Sequence, residues 1–355
     1  MILFIASSET DYLQDLTYAG LAETLGKAKI QVFPSHWTYD KERKNIFSSR
    51  LEYPRNLGLV PGAGTAKAAW KEVAARLDKN EYRVVILAAA KKDALDCFAR
   101  VADKVRVPWI FVDGGDRSDV GGDFLRVSGK SSLKIFQEIC GKLPPALIFK
   151  REVPLGFRDD SVLPFPFSFK ESNIPGAGGA GAGKYDVLFW AVESSETRKQ
   201  AFRLLRGRYD CEANGSVPGR KFRKYSFRGK DYFRELHSAK TALSFRGEGF
   251  DTLRYWEVPA CGTFLVSEIP AIQIPDNFRD GEHALFCKND LSDLISKIDY
   301  ALSHEKERQE MARAAQTHLL RHHTHLRRAQ FFIEKVREKL GIDLAQDLRD
   351  AHQRN

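Results

Sequence analysis

The segment FRGEGFDTLRYWEVPACGTFLVSE, residues 245–268, places two glycines around an acid, an Asp-Thr pair, an arginine and a second acid within one short span. A strand pattern, TALSF (241–245), delivers the chain to it. Gly247 and Gly249, flanking Glu248, let backbone N–H groups approach a ligand with no Cβ in the way. Asp251 or Thr252 is suited to cap a helix that begins there. A helix N-terminus carries unpaired N–H donors and partial positive charge, which suits a diphosphate. Arg254, in the first turn, adds a fixed charge with bidentate geometry. Glu257, about one turn on, can accept two hydroxyl hydrogen bonds of the kind a ribose or hexose offers. Pro259 and Gly262 then help to end the helix and admit the next strand, TFLVSE. The segment thus offers donors to phosphates and acceptors to a sugar. The competing reading is an ordinary α/β connection with its charges facing water.

Other clusters carry weaker chemistry. Asp113, Asp116, Asp119 and Asp123 fall in DGGDRSDVGGD. Their spacing does not match a calcium loop, which needs acids two apart and a late Glu. A polar turn accounts for them, although Asp113 ends a buried strand, where α/β clefts place working groups. His318, His322 and His325 stand at i, i+4 and i+7 of a helical pattern, a spacing that can present imidazoles to a metal. Arginines surround them and no acidic co-ligand sits at a telling position, so capping, packing or an anion contact is the plainer reading. Gly178 to Lys184 spells GGAGAGK, close to a P-loop. Tyr185 stands where Ser or Thr should hold magnesium, and the tract opens a strand rather than a helix, so it reads as a linker. Gly62-Ala63-Gly64 precedes a helix pattern, but Lys67 occupies the third small position of a dinucleotide fingerprint.

The bulk numbers bound these readings. At 355 residues the chain is long for a single core and suggests two domains. With 43% hydrophobic and 29% charged residues, its composition is that of a soluble globular protein. No window carries the roughly 18 apolar residues of a membrane-spanning helix. The start, MILFIASSETDYL, has no basic n-region and reads as a first buried strand running into a loop, not as a signal peptide. The five cysteines are scattered, odd in number and without C-x-x-C, which fits a reducing, cytoplasmic setting. The net charge of +9 is concentrated in RKFRKYSFRGK (220–230) and in the helical stretch 306–339. Such an excess draws phosphate-bearing partners: nucleotides, nucleic acid or anionic lipid headgroups.

The elements that must position these residues come in α/β order. Strand patterns at 2–6, 29–34, 82–90 and 107–113 alternate with helix patterns at 15–26, 67–79 and 93–104, and a further strand is read at 56–60. Alternation of this kind argues for a parallel sheet covered on both faces. Residues 153–184 turn rich in Pro, Gly and Phe and read as an interdomain connection. The order then repeats: strand 185–192, helix 197–205, a basic loop, helix 232–240, strand 241–245, strand 263–268, strand 282–287 and helix 290–302, with mostly helix to about Leu340. The tail is polar. The stretch 35–56 has no legible pattern.

A late loop–helix segment with paired glutamates, E…E-x-x-A-x-G, resembles the carboxyl-terminal domain of GT-B glycosyltransferases. More closely, the chain resembles the spore-maturation CgeB-like glycosyltransferases. The resemblance is carried by DYLQDLTYAGLAETLG (11–26), by FVDGGD with FKRE (149–152), by YDVLFWAVESSETR (185–198), and by residues 245–268 with FRDGEHALFCKNDLSDLISKI (278–298) and HHTHLRRA (322–329). It covers most of residues 1–335, and the last block is the most specific.

The resemblance implies an α/β, GT-B fold: two Rossmann-like domains facing a central cleft, and a C-terminal helix crossing back to the N-terminal domain. The domains expected are 1–165 for the acceptor, a linker at 166–184, 185–325 for the nucleotide-sugar, and a helix and tail at 326–355. It implies a hexosyltransferase-type activity on a glycan, lipid-linked or protein acceptor. The nucleotide-sugar is then a substrate, with no cofactor and no obligatory metal, and no Asp-x-Asp pair is present. Gly247, Gly249, Asp251, Arg254 and Glu257 match the donor motif. Lys240 and Arg246 fall where phosphate contacts are expected, and Arg198 matches the basic position after the second domain's first strand. Glu248 and Glu257 are nine apart where the common spacing is eight, so Asp251 is an alternative to Glu248 beside the sugar. Asp11, Asp113 and Asp116 are the candidates for a base that would deprotonate the acceptor in an inverting reaction. Two other classes stand beside this one. One is a non-catalytic nucleotide-sugar or polyanion binder with the same fold. The other is a nucleic-acid binder using the basic and aromatic residues of RKFRKYSFRGKDYF, although that stretch serves a nucleotide diphosphate or an anionic membrane surface more economically.

Overall fold

The computed structural model describes residues 1–34, 70–174, 183–219 and 230–346. The strand expected at 56–60, Gly62-Ala63-Gly64, the stretch 35–56, the core of the glycine tract and nearly all of the basic stretch 220–230 lie outside the described residues. The chain forms two compact units. One comprises residues 1–166 and the segment from His325 onward; the other comprises residues 167–324.

In the first unit the chain runs β1 (Ile2–Ile5), α1 (Tyr12–Leu25), β2 (Ile30–Phe33), α2 (Trp70–Asp78), β3 (Val84–Leu87), α3 (Lys92–Ala99), β4 (Trp109–Asp113), α4 (Gly122–Ser128), α5 (Lys130–Lys142), β5 (Leu147–Lys150) and β6 (Val162–Pro164). The sheet has the order β2-β1-β3-β4-β5-β6 and every pair is parallel. β1, β3, β4 and β5 are buried along their whole length, as parallel strands covered on both faces must be. Asp11 starts α1 by accepting the Gln14 N–H, and Gly26, at φ +85°, ends it.

In the second unit β7 (Tyr185–Leu188), α6 (Glu196–Leu205), α7 (Cys211–Asn214), α8 (Lys230–His237), β8 (Ala239–Ser244), α9 (Leu253–Ala260), β9 (Phe264–Glu268), β10 (Leu285–Cys287), α10 (Leu294–Ser303) and α11 (Glu305–His322) follow one another. Its sheet is β10-β9-β8-β7, again parallel throughout. Residues 167–174 pack within this unit: the Phe167 N–H donates to Asp251 Oδ2 at 2.6 Å, and the Phe169 N–H to the His323 carbonyl at 3.0 Å. Each sheet has its own apolar core, one around Phe98, Trp109 and Phe111, the other around Phe189, Phe245 and Leu294. Among the described residues no helix is long and apolar enough to cross a membrane.

The last helix, α12 (His325–Leu340), belongs to the first unit. It packs on α1, where His325 Nε2 meets Glu23 Oε2 at 3.0 Å, and it stacks Phe332 on Phe149 with 4.2 Å between ring centroids. Gly20 is the contact that lets the two helices approach. A Cβ there would run into the His325 carbonyl oxygen and come within 2.9 Å of Ala329 Cβ. Replacing a helical Gly by Ala ordinarily gains up to about 1 kcal/mol. Here the methyl meets backbone that cannot step aside, so Gly20→Ala is expected to lose about 1–3 kcal/mol instead. A lower Tm in thermal denaturation checks this; an unchanged or raised Tm contradicts it.

Candidate functional site

The C-terminal edge of the second sheet gathers most of the charged groups singled out above. Arg198 lies in the first turn of α6, after β7. Its Nε and Nη2 both donate to the Phe245 carbonyl, at 3.1 and 3.0 Å, and its Nη1 donates to the Val192 carbonyl and to Ser194 Oγ, both at 3.1 Å. The arginine therefore ties the loop after β7 to the loop after β8. Ser195 caps α6 by accepting the Arg198 N–H at 3.3 Å, while its hydroxyl donates to the Arg246 carbonyl at 2.8 Å.

Arg246 follows β8 and is a third exposed. Its Nε donates to Thr197 Oγ1 at 3.0 Å and lies 3.3 Å from Glu268 Oε2, and its guanidinium sits 4.8 Å from the Phe250 ring centroid. Gly247 is packed so closely that a Cβ would lie 3.3 Å from Ser194 Oγ and 3.4 Å from Arg198 Nη2. Its N–H is not available to a ligand, because it donates to the Gly249 carbonyl at 3.0 Å. Glu248, between the two glycines, is exposed, whereas Gly249 is buried.

The remaining donor candidates go inward. Asp251 is buried and takes the Trp256 Nε1–H on Oδ1 at 2.7 Å and the Phe167 N–H on Oδ2 at 2.6 Å, so it anchors the loop rather than the helix. Thr252 holds the cap position of α9 without a capping bond, and its hydroxyl pairs with Ser244 Oγ at 3.0 Å. Arg254 turns onto Glu257, with Nε 3.4 Å from Oε2, beside the Tyr232 ring. Glu257 is 1% exposed and accepts the Tyr232 hydroxyl at 2.6 Å. Burial pushes its carboxyl up to about 8. It is a buried carboxyl that faces Tyr232 and Arg254.

Lys240 requires correction. It stands near the start of β8, paired with Asp186 at 2.6 Å. Arg246 lies past the other end of that strand, roughly 20 Å along extended chain, so Lys240 cannot share a phosphate with it. Sequence proximity misled because six residues of strand cross the whole sheet.

Sequence reasoning missed Glu268, the last residue of β9 and one strand over from Arg246. The available signal was a lone acid closing an apolar parallel strand, at the edge where α/β proteins bind ligands.

In the first unit the three acids expected as bases differ sharply. Asp113 is buried at the end of β4 and saturated: it accepts N–H groups from Gly115 at 3.1 Å and Gly121 at 2.9 Å, and pairs with Lys150 Nζ at 3.0 Å. Asp116 pairs with Arg126 at 2.8 Å and with Arg151. Both therefore serve to shape the turn. Asp11 makes one bond, from the Gln14 N–H at 3.0 Å, and sits over Gly114, where a Cβ would lie 3.0 Å from Oδ1. Desolvation raises its pKa; the Gln14 N–H, Lys91 and Arg151 oppose that and Asp113 adds to it.

The histidines do not act as one group. His318 and His323 both place Nε2 on the Asp276 carbonyl, at 2.6 and 2.7 Å, and the His318 ring packs at a tilt against those of His283 and His322. His325 is bound to Glu23 in the first unit. Among the described residues no cluster of three or more His, Cys, Asp or Glu is arranged to hold a metal ion.

Residues 195–334, which include Arg198, Arg246 and Glu268, match the family model described as Glycosyl transferase-like. No curated protein matches the chain. Among solved structures, Anabaena Alr3699/HepE in complex with UDP-glucose is similar at 13% identity and a TM-score of 0.56, over 95% of this chain and 99% of that one. A glycosyltransferase from Rickettsia africae ESF-5 is similar at 11% identity and a TM-score of 0.56, over 96% and 98%. Sucrose-phosphate synthase from Thermosynechococcus elongatus is similar at 10% identity and a TM-score of 0.55, over 96% and 99%. The fold is GT-B. The two parallel-sheet units of this chain are its two Rossmann-like halves.

Because Glu257 holds its proton more tightly folded than unfolded, it favours the native state most below about 4.5, and that contribution fades as the pH rises to about 8. Glu257→Gln keeps the shape and the acceptor for Tyr232 without titrating. The wild type is expected to lose stability relative to this variant between pH 5 and 8. Denaturant melts of both proteins at several pH values give the comparison, and parallel profiles would remove the assignment.

Proposed function

We propose that the chain is a glycosyltransferase that takes its sugar from a nucleotide-sugar, with a UDP-sugar as the first donor to test. The observation that carries this is the C-terminal edge of the second sheet. There, within the segment that matches the glycosyltransferase-like model, Arg246 is held at Nε beside the first turn of α6 while its guanidinium reaches solvent. The similarity of the fold to Alr3699/HepE bound to UDP-glucose supports the choice of donor class.

Glycosyl transfer needs charge stabilisation on the departing diphosphate. Arg246, Arg198 behind it and the amino end of α6 supply fixed positive charge at one place, before the reaction begins. On this reading the arginines do the work a divalent metal does elsewhere, and the reaction needs no metal. Glu248, exposed and two residues from Arg246, is the carboxylate this reading assigns to the sugar. In the first unit Asp11 is the acid with base chemistry, since its carboxyl is raised and carries a single hydrogen bond. The CgeB-like subgroup, a glycan, lipid-linked or protein acceptor, and work in the cytoplasm at an anionic membrane face complete the proposal. The non-catalytic alternative, a nucleotide-sugar binder, predicts binding without turnover.

Thermal shift against UDP, GDP, CDP, ADP and TDP and their common sugars, with and without magnesium, tests the donor, because a ligand of the native state raises Tm by mass action. A shift with one nucleoside diphosphate, independent of metal, is expected; no shift with any of them contradicts the reading. Arg246→Ala should weaken that ligand about tenfold, equal to about 1.4 kcal/mol. Donor hydrolysis without acceptor separates an enzyme from a binder. If Asp11 is the base, the rate in wild type rises with pH as Asp11 loses its proton, and Asp11→Asn removes both most of the rate and that acid limb. Retention of the limb in the variant would transfer the role to another group.

A further inference from the structure

We infer that Glu268 is a positioning residue for the donor's diphosphate, its buried carboxylate turning Arg246 so that both Nη atoms are left for phosphate oxygens. This rests on the functional reading above and adds a residue to it.

Glu268 closes β9 and is 2% exposed. Oε1 accepts the Arg246 backbone N–H at 2.5 Å, and Oε2 faces Arg246 Nε at 3.3 Å. Thr197 Oγ1 accepts from the same Nε at 3.0 Å, and the Phe250 ring lies 4.8 Å from the guanidinium carbon. The inner edge and one side of the guanidinium are therefore occupied. Neither Nη atom makes a hydrogen bond to the described residues, and these are the two groups that form a fork for phosphate.

A neutral residue would not do the same. Oε2 has no hydrogen bond of its own, so what it offers Nε is charge. Burial raises the Glu268 carboxyl above its ordinary value, and the Arg246 N–H with the charges of Arg246 and Arg198 pulls against that. Cys287, its neighbour on β10, adds no positive charge. Glutamine at this place keeps the acceptor for the Arg246 N–H but can set an NH2 donor against the Nε donor, which turns the guanidinium away. The cost falls on phosphate recognition and not on the sheet.

The experiment is a double-mutant cycle on the full chain, with UDP and UMP as probes in calorimetric titrations. Glu268→Gln and Arg246→Ala should each weaken UDP about tenfold, while the double variant is no weaker than Arg246→Ala alone, because one residue acts through the other. UMP, lacking the second phosphate, should change less than about twofold in Glu268→Gln. Arg246→Lys keeps the charge but loses the Nε edge. It should match Glu268→Gln and be insensitive to adding it, which keeps the test available if the glutamine variant folds poorly. Additive losses, or unchanged UDP affinity in Glu268→Gln, overturn the role of Glu268 while leaving the functional reading in place. Wild-type protein that binds none of the nucleoside diphosphates overturns the functional reading, and the role of Glu268 with it.

Discussion

Both units are governed by one constraint: a parallel sheet must be covered on both faces, so its polar chemistry can live only at the strand ends. β1, β3, β4 and β5 expose nothing along their length, and β9 is buried from Phe264 to Glu268. Because all strands in a sheet run the same way, every outgoing loop emerges at one edge. Arg198, Arg246 and Glu268 come from the ends of three separate strands and meet for that reason. The same constraint collects Asp11, Asp113, Asp116 and Arg151 at the corresponding edge of the first unit.

Buried charge is the recurring device at those edges. Asp113 carries two backbone N–H groups and Lys150; Glu268 carries a backbone N–H and an arginine; Asp251 carries an indole and a backbone N–H. Each of these carboxylates is desolvated, and each is compensated by at least one donor from a loop, joined by Lys150 at the end of β5 for Asp113 and by Trp256 of α9 for Asp251. A loop held in this way is rigid without needing an apolar core of its own. Glu257 departs from the pattern. Among the described residues it accepts the Tyr232 hydroxyl and lies beside Arg254, and burial leaves its carboxyl far above the usual range.

The architecture was legible because apolar runs such as VVIL and WIFVD alternate with helix patterns as covered parallel strands do, and because Gly26 ends α1 where its type requires. Arg198 and Arg246 were named through the resemblance, and both follow strands of the second sheet. What failed was direction. Periodicity says that Glu257 and Arg254 share a helix, but not that this helix turns them into the core beneath Tyr232. Spacing along the chain put Lys240 near Arg246, although a strand separates them by its full length. Glu268 was invisible for the converse reason: its partner lies twenty-two residues away in sequence and one strand away in space.

The return of α12 to α1 makes the second unit an insertion within the first. The chain leaves the first unit near Pro166 and rejoins it at His325. Until that last helix arrives, α1 has a bare seam along Gly20 and Glu23, and Phe149 lacks its stacked partner Phe332. On a ribosome, where the amino-terminal part of a chain emerges first, this order inverts the usual sequence of completion. The inserted unit is whole once residue 324 has emerged, while the unit around it must wait for α12 to close it.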